Sequence, residues 1–219
     1  MRLSPEQTLA RLYYLKLIGE TYTSPLAPRP TTTPLTGSLD DLKKRVESCH
    51  LCDLAKTRQK SVFGGGHPQA SLMFIGEIPA PSDPFIGRSG ELLTKMIEGV
   101  FGLSRSDVYI TTAIKCAPPM NRVATPQECQ MCQPYLEAQI QAIRPKVIVT
   151  LGMLPLQALL PHTTNITKER GKVHPYHDAS IIATYHPSFL LKNPSIKPDV
   201  YADLLLAKSL IDPVLRHDG

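Results

Sequence analysis

The chain reads as an α/β protein: a three-layer α/β/α sandwich around a central four-stranded parallel sheet. Two observations predict this. Four short runs rich in Ile and Val, at residues 71–77 (SLMFIGE), 108–115 (VYITTAIK), 146–152 (KVIVTLG) and 180–186 (SIIATYH), have the character of strands covered on both faces. Helical patterns at 90–100, 126–142 and 154–160 lie between them, with a last one at 200–210. Strands alternating with helices argue for parallel strands sandwiched between helix layers.

In chain order, residues 1–20 form a first element. Ser4 is placed to cap a helix, Pro5 suits its first position and Gln7 completes a capping box. Leu9, Leu12, Tyr13, Leu15 and Leu17 then supply an apolar stripe. Residues 21–38 (TYTSPLAPRPTTTPLTGS) are rich in Pro and Thr, with little to bury, and read as an extended linker. The body is expected over 39–219. It opens with a helix toward Cys49 that carries Asp40 and Asp41 in its first turn.

At 219 residues the chain suits one domain with extra segments. Its net charge of +5 permits a nucleic-acid partner and equally suits an enzyme of small molecules. No apolar run approaches the ~20 residues of a membrane span, and Met1-Arg2-Leu3-Ser4 does not lead into a secretory signal. A cytoplasmic monomer without membrane contact or disulfides is expected.

In parallel sheets ligands sit beyond the carboxyl ends of the strands. That rule selects four loops, at 76–79, 112–116, 152–153 and 186–188, and the chemically interesting residues gather in them.

The five cysteines carry a second signal. Cys49 and Cys52 form one C-x-x-C, Cys129 and Cys132 another, and Cys116 follows an apolar run. Grouped thiolates of this kind hold zinc or an iron–sulfur cluster. Spacing alone favours the two C-x-x-C pairs and zinc, with Cys49, Cys52, Cys116 and Cys132 as the other possible set. His162, His174 and His177 show no ligand spacing with any of them.

Several ordered segments resemble the iron–sulfur uracil-DNA glycosylases, the fourth family of that superfamily. They are Cys49-His50-Leu51-Cys52 with Arg58 and Val62-Phe63-Gly64; Gly76-Glu77; Pro84-Phe85-Ile86-Gly87-Arg88-Ser89-Gly90; Tyr109-Ile110-Thr111 leading to Lys115-Cys116; Pro118-Pro119 with Asn121-Arg122; Cys132-Gln133-Pro134-Tyr135-Leu136; and Tyr185-His186-Pro187-Ser188. The resemblance implies a DNA-repair glycosylase that flips uracil out of DNA and hydrolyses its N-glycosidic bond, leaving an abasic site. It implies a [4Fe–4S] cluster on Cys49, Cys52, Cys116 and Cys132, with Cys129 a bystander.

It further implies Glu77 and His186 as catalytic residues, with Ile78, Phe85 and Thr112 around the base. Arg88, Arg122, Arg170 and Ser188 are implied at the DNA backbone. Three departures from the family pattern stand out: Ile78 where a small residue is usual, a link shortened to Pro81-Ser82-Asp83, and Thr112 in place of an asparagine. One hydroxyl cannot reproduce the paired contacts of an amide. Weaker discrimination against cytosine is therefore expected, and a catalytically weakened DNA-binding protein of the same fold is the alternative.

Overall fold

Ser38 begins the body with a capping box. Its Oγ accepts the Asp41 amide N–H at 3.2 Å, and the Asp41 carboxylate accepts the Ser38 amide N–H at 3.2 Å. Helix α1, Leu39–Glu47, follows and buries Leu42 and Val46. The computed structural model describes residue 35 and residues 37–80, 83–163 and 165–215. The expected helix at 1–20 and most of the expected linker lie outside those residues. The chain divides into two units, 1–33 and 34–219, and the fold is that of the second.

After α1 come α2 (Leu54–Thr57), the strands β1 (Gly65–Gly66) and β2 (Leu72–Gly76), and α3 (Gly87–Met96), which runs into a π-helical turn (Ile97–Phe101). Then follow β3 (Tyr109–Thr112), α4 (Pro126–Ile143), β4 (Val147–Leu151), α5 (Met153–Leu159) and α6 (Ile166–Glu169). The chain closes with β5 (Val173–Tyr176), β6 (Ala179–Thr184), α7 (Pro187–Lys192) and α8 (Lys197–Leu215). Among the described residues no helix is long and apolar enough to cross a membrane.

The sheet has six strands in the order β1-β3-β2-β4-β6-β5. The four strands read from the sequence are its parallel centre. The expectation of four strands is corrected by β1 and β5, which pair antiparallel at the two edges. Neither edge offers an apolar run to read. β1 is two glycines, and β5 is Val-His-Pro-Tyr, whose proline an edge position tolerates. The run at 108–115 also stops early, at Thr112, because the chain turns there: the Ala113 and Ile114 amides donate to the Gly76 and Glu77 carbonyls.

Alternate residues of each central strand enter opposite cores. Phe74, Val149 and Ile182 face Leu93, Ile97, Val200 and Leu204 of α3, the π turn and α8. Met73, Ile75, Ile148 and Ile181 face Leu136, Ile140, Leu156 and Leu159 of α4 and α5. Each such side chain contributes about 1.5–3 kcal/mol by burial. This two-sided covering explains why the strands read as unbroken apolar runs.

From β2 the chain crosses to β3 on one side and then to β4 on the other, so strand order reverses between β2 and β4. The crevice of the sheet opens at their carboxyl ends.

One buried polar knot joins α8 to the sheet. The Asp203 carboxylate, fully buried, accepts from Thr184 Oγ1 at 2.7 Å and from Arg170 Nε and Nη2 at 3.0 and 2.9 Å. Removing one member of such a pair leaves a buried charge uncompensated. Asp203→Ala should therefore lower unfolding stability in urea by about 3–5 kcal/mol. Thr184→Ala, which takes away a neutral donor, should cost about 1–3 kcal/mol.

Candidate active site and cysteine centre

Glu77 leaves the end of β2 and reaches across the crevice to β4. Its Oε1 accepts the Met153 amide N–H at 3.2 Å, at the start of α5. Gly152 lies directly against this carboxylate with φ of 98°, and a Cβ there would collide with Glu77 Oε1. Burial raises the Glu77 pKa, while the Leu154 and Met153 amides pull it down. Ile78 turns toward Leu54, Ile114, Ala124 and Leu154, half buried beside the cysteines.

Phe85 and His186 meet at the same end of the sheet. Their rings stack with centroids 5.3 Å apart and planes inclined by 22°. Gly76 forms the floor: a Cβ there would stand 2.5 Å from Phe85 Cζ and 3.5 Å from Thr112 Cγ2. The Phe85 backbone is clamped as well. Its N–H donates to Asp83 Oδ1 at 2.7 Å, and Arg105 Nη2 donates to Asp83 Oδ1 at 2.9 Å and to the Phe85 carbonyl at 3.1 Å.

His186 caps α7 with its ring. Nδ1 accepts the Ser188 amide N–H at 3.1 Å and lies 2.7 Å from Ser188 Oγ. With Nδ1 an acceptor, the neutral ring carries its proton on Nε2. Burial pushes the pKa down to about 4. The strand end that carries this ring is held by the Thr184–Asp203–Arg170 knot, and the Arg170 guanidinium also lies over the Tyr185 ring, 5.8 Å from its centroid.

The residues expected at DNA fall into two groups. Arg88 is exposed at the start of α3. Arg122 instead grips Glu128 through two hydrogen bonds, of 2.9 and 2.6 Å, and these hold the Glu128 carboxyl down to about 2. Arg170 is bound to Asp203, and the Ser188 amide is turned onto His186. Each of these three thus makes internal bonds, to partners distant in sequence or folded back locally.

Thr112 is fully buried, and its hydroxyl donates to the Ile114 carbonyl at 2.5 Å. Its hydrogen is thereby committed. The side chain keeps only acceptor capacity and a methyl beside the Gly76 floor.

Cys49 and Cys52 come from the α1–α2 connection, Cys116 follows β3, and Cys132 lies in α4. All four line one small cavity, with Val46, Leu54, Ile114, Met131 and Tyr135 completing its apolar wall; Cys129 is not part of the lining. Arg58 Nη1 donates to Cys116 Sγ at 3.3 Å and the Lys115 amide to Cys132 Sγ at 3.2 Å. Four soft sulfurs in an apolar pocket with N–H donors on two of them fit a tetrathiolate cluster. Among the described residues, no three His, Cys, Asp or Glu side chains surround a single-ion position. Burial pushes the Cys132 thiol up to about 12, opposed by Lys115, and raises Cys116 against the pull of Arg58.

Sequence reading missed Arg105, Asp203 and Lys115. Lys115 and Asp203 did leave a trace, each being a charge set among apolar residues, in AIKCA and VYADLLLA. Arg105 left none, because its partner Asp83 is 22 positions away.

A folded pKa depressed below the ordinary value of 6.5 means that the unfolded chain binds the His186 proton more readily. The stability due to neutral His186 is full above about pH 6.5 and is lost as pH falls toward about 4. An NMR titration should find His186 neutral at pH 5.5 with the proton on Nε2, and Ser188→Gly should not raise its pKa to 6.5.

The description "Uracil DNA glycosylase superfamily" belongs to the family model that matches residues 63–207. The chain is 40% identical over 179 residues to the type-4 uracil-DNA glycosylase of Archaeoglobus fulgidus, covering 76% of this chain and 89% of the relative. It is 38% identical over 182 residues to the type-4 uracil-DNA glycosylase of Thermotoga maritima, covering 79% and 94%. A type-5 uracil-DNA glycosylase of Pyrobaculum aerophilum is 38% identical over 196 residues, covering 72% and 85%. A parallel sheet with Phe85 and His186 facing one another at its carboxyl end, together with these matches, makes the chain a member of the uracil DNA glycosylase superfamily.

Proposed function

We propose that this protein removes uracil from DNA by hydrolysing the N-glycosidic bond. The observation that carries the reading is the direct contact of Phe85 and His186 over the bare backbone of Gly76. Two rings at 5.3 Å touch one another, so a flipped base cannot lie between them. It stacks on Phe85 with the imidazole at its rim, which is where a hydrogen bond to a base carbonyl has to come from.

Catalysis follows from charge. As the bond between C1′ and the base nitrogen breaks, the electron pair leaves with uracil, and negative charge grows on its carbonyl oxygens. The Nε2–H of neutral His186 donates there, and a preorganised donor acts most strongly on charge that appears only in the transition state. Water supplies the oxygen that bonds to C1′, and its released proton balances the departing base anion. Glu77, beside the pocket on β2, is the acceptor for that water. Extrusion of the nucleotide costs about a few kcal/mol, offset by stacking on Phe85. Arg88 is the proposed contact to DNA phosphate.

Cys49, Cys52, Cys116 and Cys132 are proposed to hold a [4Fe–4S] cluster. Bound there, the cluster supplies structural cross-links and takes no part in electron transfer to the substrate. A second reading, a weakened DNA-binding member of the superfamily, is favoured by Thr112, whose hydroxyl is already bonded within the chain.

Anaerobically purified protein should be brown, contain iron and sulfide, and release uracil from single- and double-stranded DNA. His186→Ala should slow release by about 10²–10³-fold at unchanged iron content. Thr112→Asn should raise the preference for uracil over cytosine by roughly tenfold or more, the value of one good edge contact. DNA binding without release by wild type and by Thr112→Asn would establish the second reading instead.

A further inference from the structure

Lys115 is a lysine with 1% of its surface exposed, and every polar atom it owns is bonded. Its backbone N–H donates to Cys132 Sγ at 3.2 Å, and its carbonyl accepts the Val62 N–H at 2.7 Å. Its Nζ turns back along the chain and donates to Thr111 Oγ1 and to the Thr112 carbonyl, both at 2.7 Å. Neither Nζ bond goes to a carboxylate. Burying an amine in this way is costly, and an apolar residue of similar length would fill the volume without that cost.

The bonds explain what the lysine does that an apolar residue would not. Thr111 Oγ1 passes its own hydrogen to the Phe63 carbonyl at 2.8 Å, and Gln139 of α4 donates to the same carbonyl at 2.8 Å. α4 also carries Cys132. A continuous polar chain therefore runs from the cysteine-bearing helix, through Thr111 and Lys115, to the peptide of Thr112. The strand ends at Thr112; the N–H side of the Thr112–Ala113 peptide donates to the Gly76 carbonyl at 2.8 Å, and its carbonyl side is held by the Lys115 Nζ.

We propose that Lys115 is a positioning residue for base recognition: anchored at the cysteine centre through its peptide, it fixes with its Nζ the peptide of Thr112 at the floor of the base pocket. The inference rests on the uracil-releasing function proposed above. Lys115 touches neither base nor water and acts only through Thr112.

The test is kinetic and uses the intact iron-containing protein on uracil-containing single-stranded DNA. Lys115→Met removes the donors and keeps the stem. It should raise KM by about tenfold with kcat changed less than about threefold, the pattern of lost uniform binding. In a Thr112→Val background the same substitution should add less than about twofold, because the side chain whose position that peptide sets has already lost its hydroxyl. A KM equal to wild type, or the full effect persisting beside Thr112→Val, overturns the proposal. Should Lys115→Met fail to fold or lose iron, Thr111→Val removes one of the two Nζ acceptors. It should raise KM about threefold with the iron-to-protein ratio and visible absorption unchanged, and an unchanged KM there likewise overturns the proposal. No uracil release by wild type would overturn the proposed function and this inference together, whereas an active wild type matched by Lys115→Met overturns this inference alone.

Discussion

The absence of a side chain at Gly76 is the constraint on which the proposed base site depends. Phe85 occupies the space a Cβ would fill, Thr112 puts its methyl beside the same point, and the His186 ring packs against the phenylalanine. Any residue larger than glycine would lift Phe85 off the strand and separate it from the imidazole. Phe85 cannot yield sideways, because Asp83 and Arg105 hold its peptide and the Gly90 turn lies against its carbonyl. Phe85 is thus held in place in the free protein, so the proposed stacking of a base calls for little further ordering of it.

The cysteine cavity provides a second constraint. Its sulfurs come from three separated stretches: the α1–α2 connection, the end of β3 and α4. Drawing them together shapes the loop after β3, on which Thr112 and Lys115 sit. Without a metal the thiols prefer to stay protonated, since burial raises Cys116 and Cys132. Assembly of the proposed cluster must therefore displace protons, and acid works against it. Arg58 opposes that penalty at Cys116, where its guanidinium donates directly to sulfur.

The sequence made the parallel centre of the sheet legible because β2, β4 and most of β6 are buried on both faces and are mainly apolar. The edges were not legible: Gly65-Gly66 has no side chains to show a period, and Pro175 masks β5. Among site residues, Phe85 and His186 were recognisable from local motifs, and the structure brings them together. Arg122 and Arg170 were recognisable as cations but not as internal struts, since charge type says nothing about a partner chosen by the fold. Arg170 meets Asp203 across 33 positions, and only three-dimensional packing joins them. The choice of Cys116 over Cys129 was likewise beyond spacing. A C-x-x-C pair is conspicuous along the chain, whereas the cavity wall admits Cys116 and leaves Cys129 outside.

The pocket also shows why a neutral imidazole serves here. An imidazolium would be the stronger donor, but burial with no carboxylate hydrogen-bonded to the ring disfavours the charge, and the pKa of about 4 records that cost. A neutral donor fixed by Ser188 needs no counter-ion, and its partial burial strengthens the effect of its dipole. Thr112 sharpens the consequence. With its hydrogen bonded to Ile114 it accepts from a base N–H but cannot donate to a base carbonyl. In the proposed reaction, His186 is left among the side chains named at this site to supply the donor to the base, so recognition and stabilisation of the leaving anion converge on one nitrogen. On that proposal the strand end beneath His186 matters to the chemistry, and the Thr184–Asp203–Arg170 knot that holds it bears on the reaction through position alone.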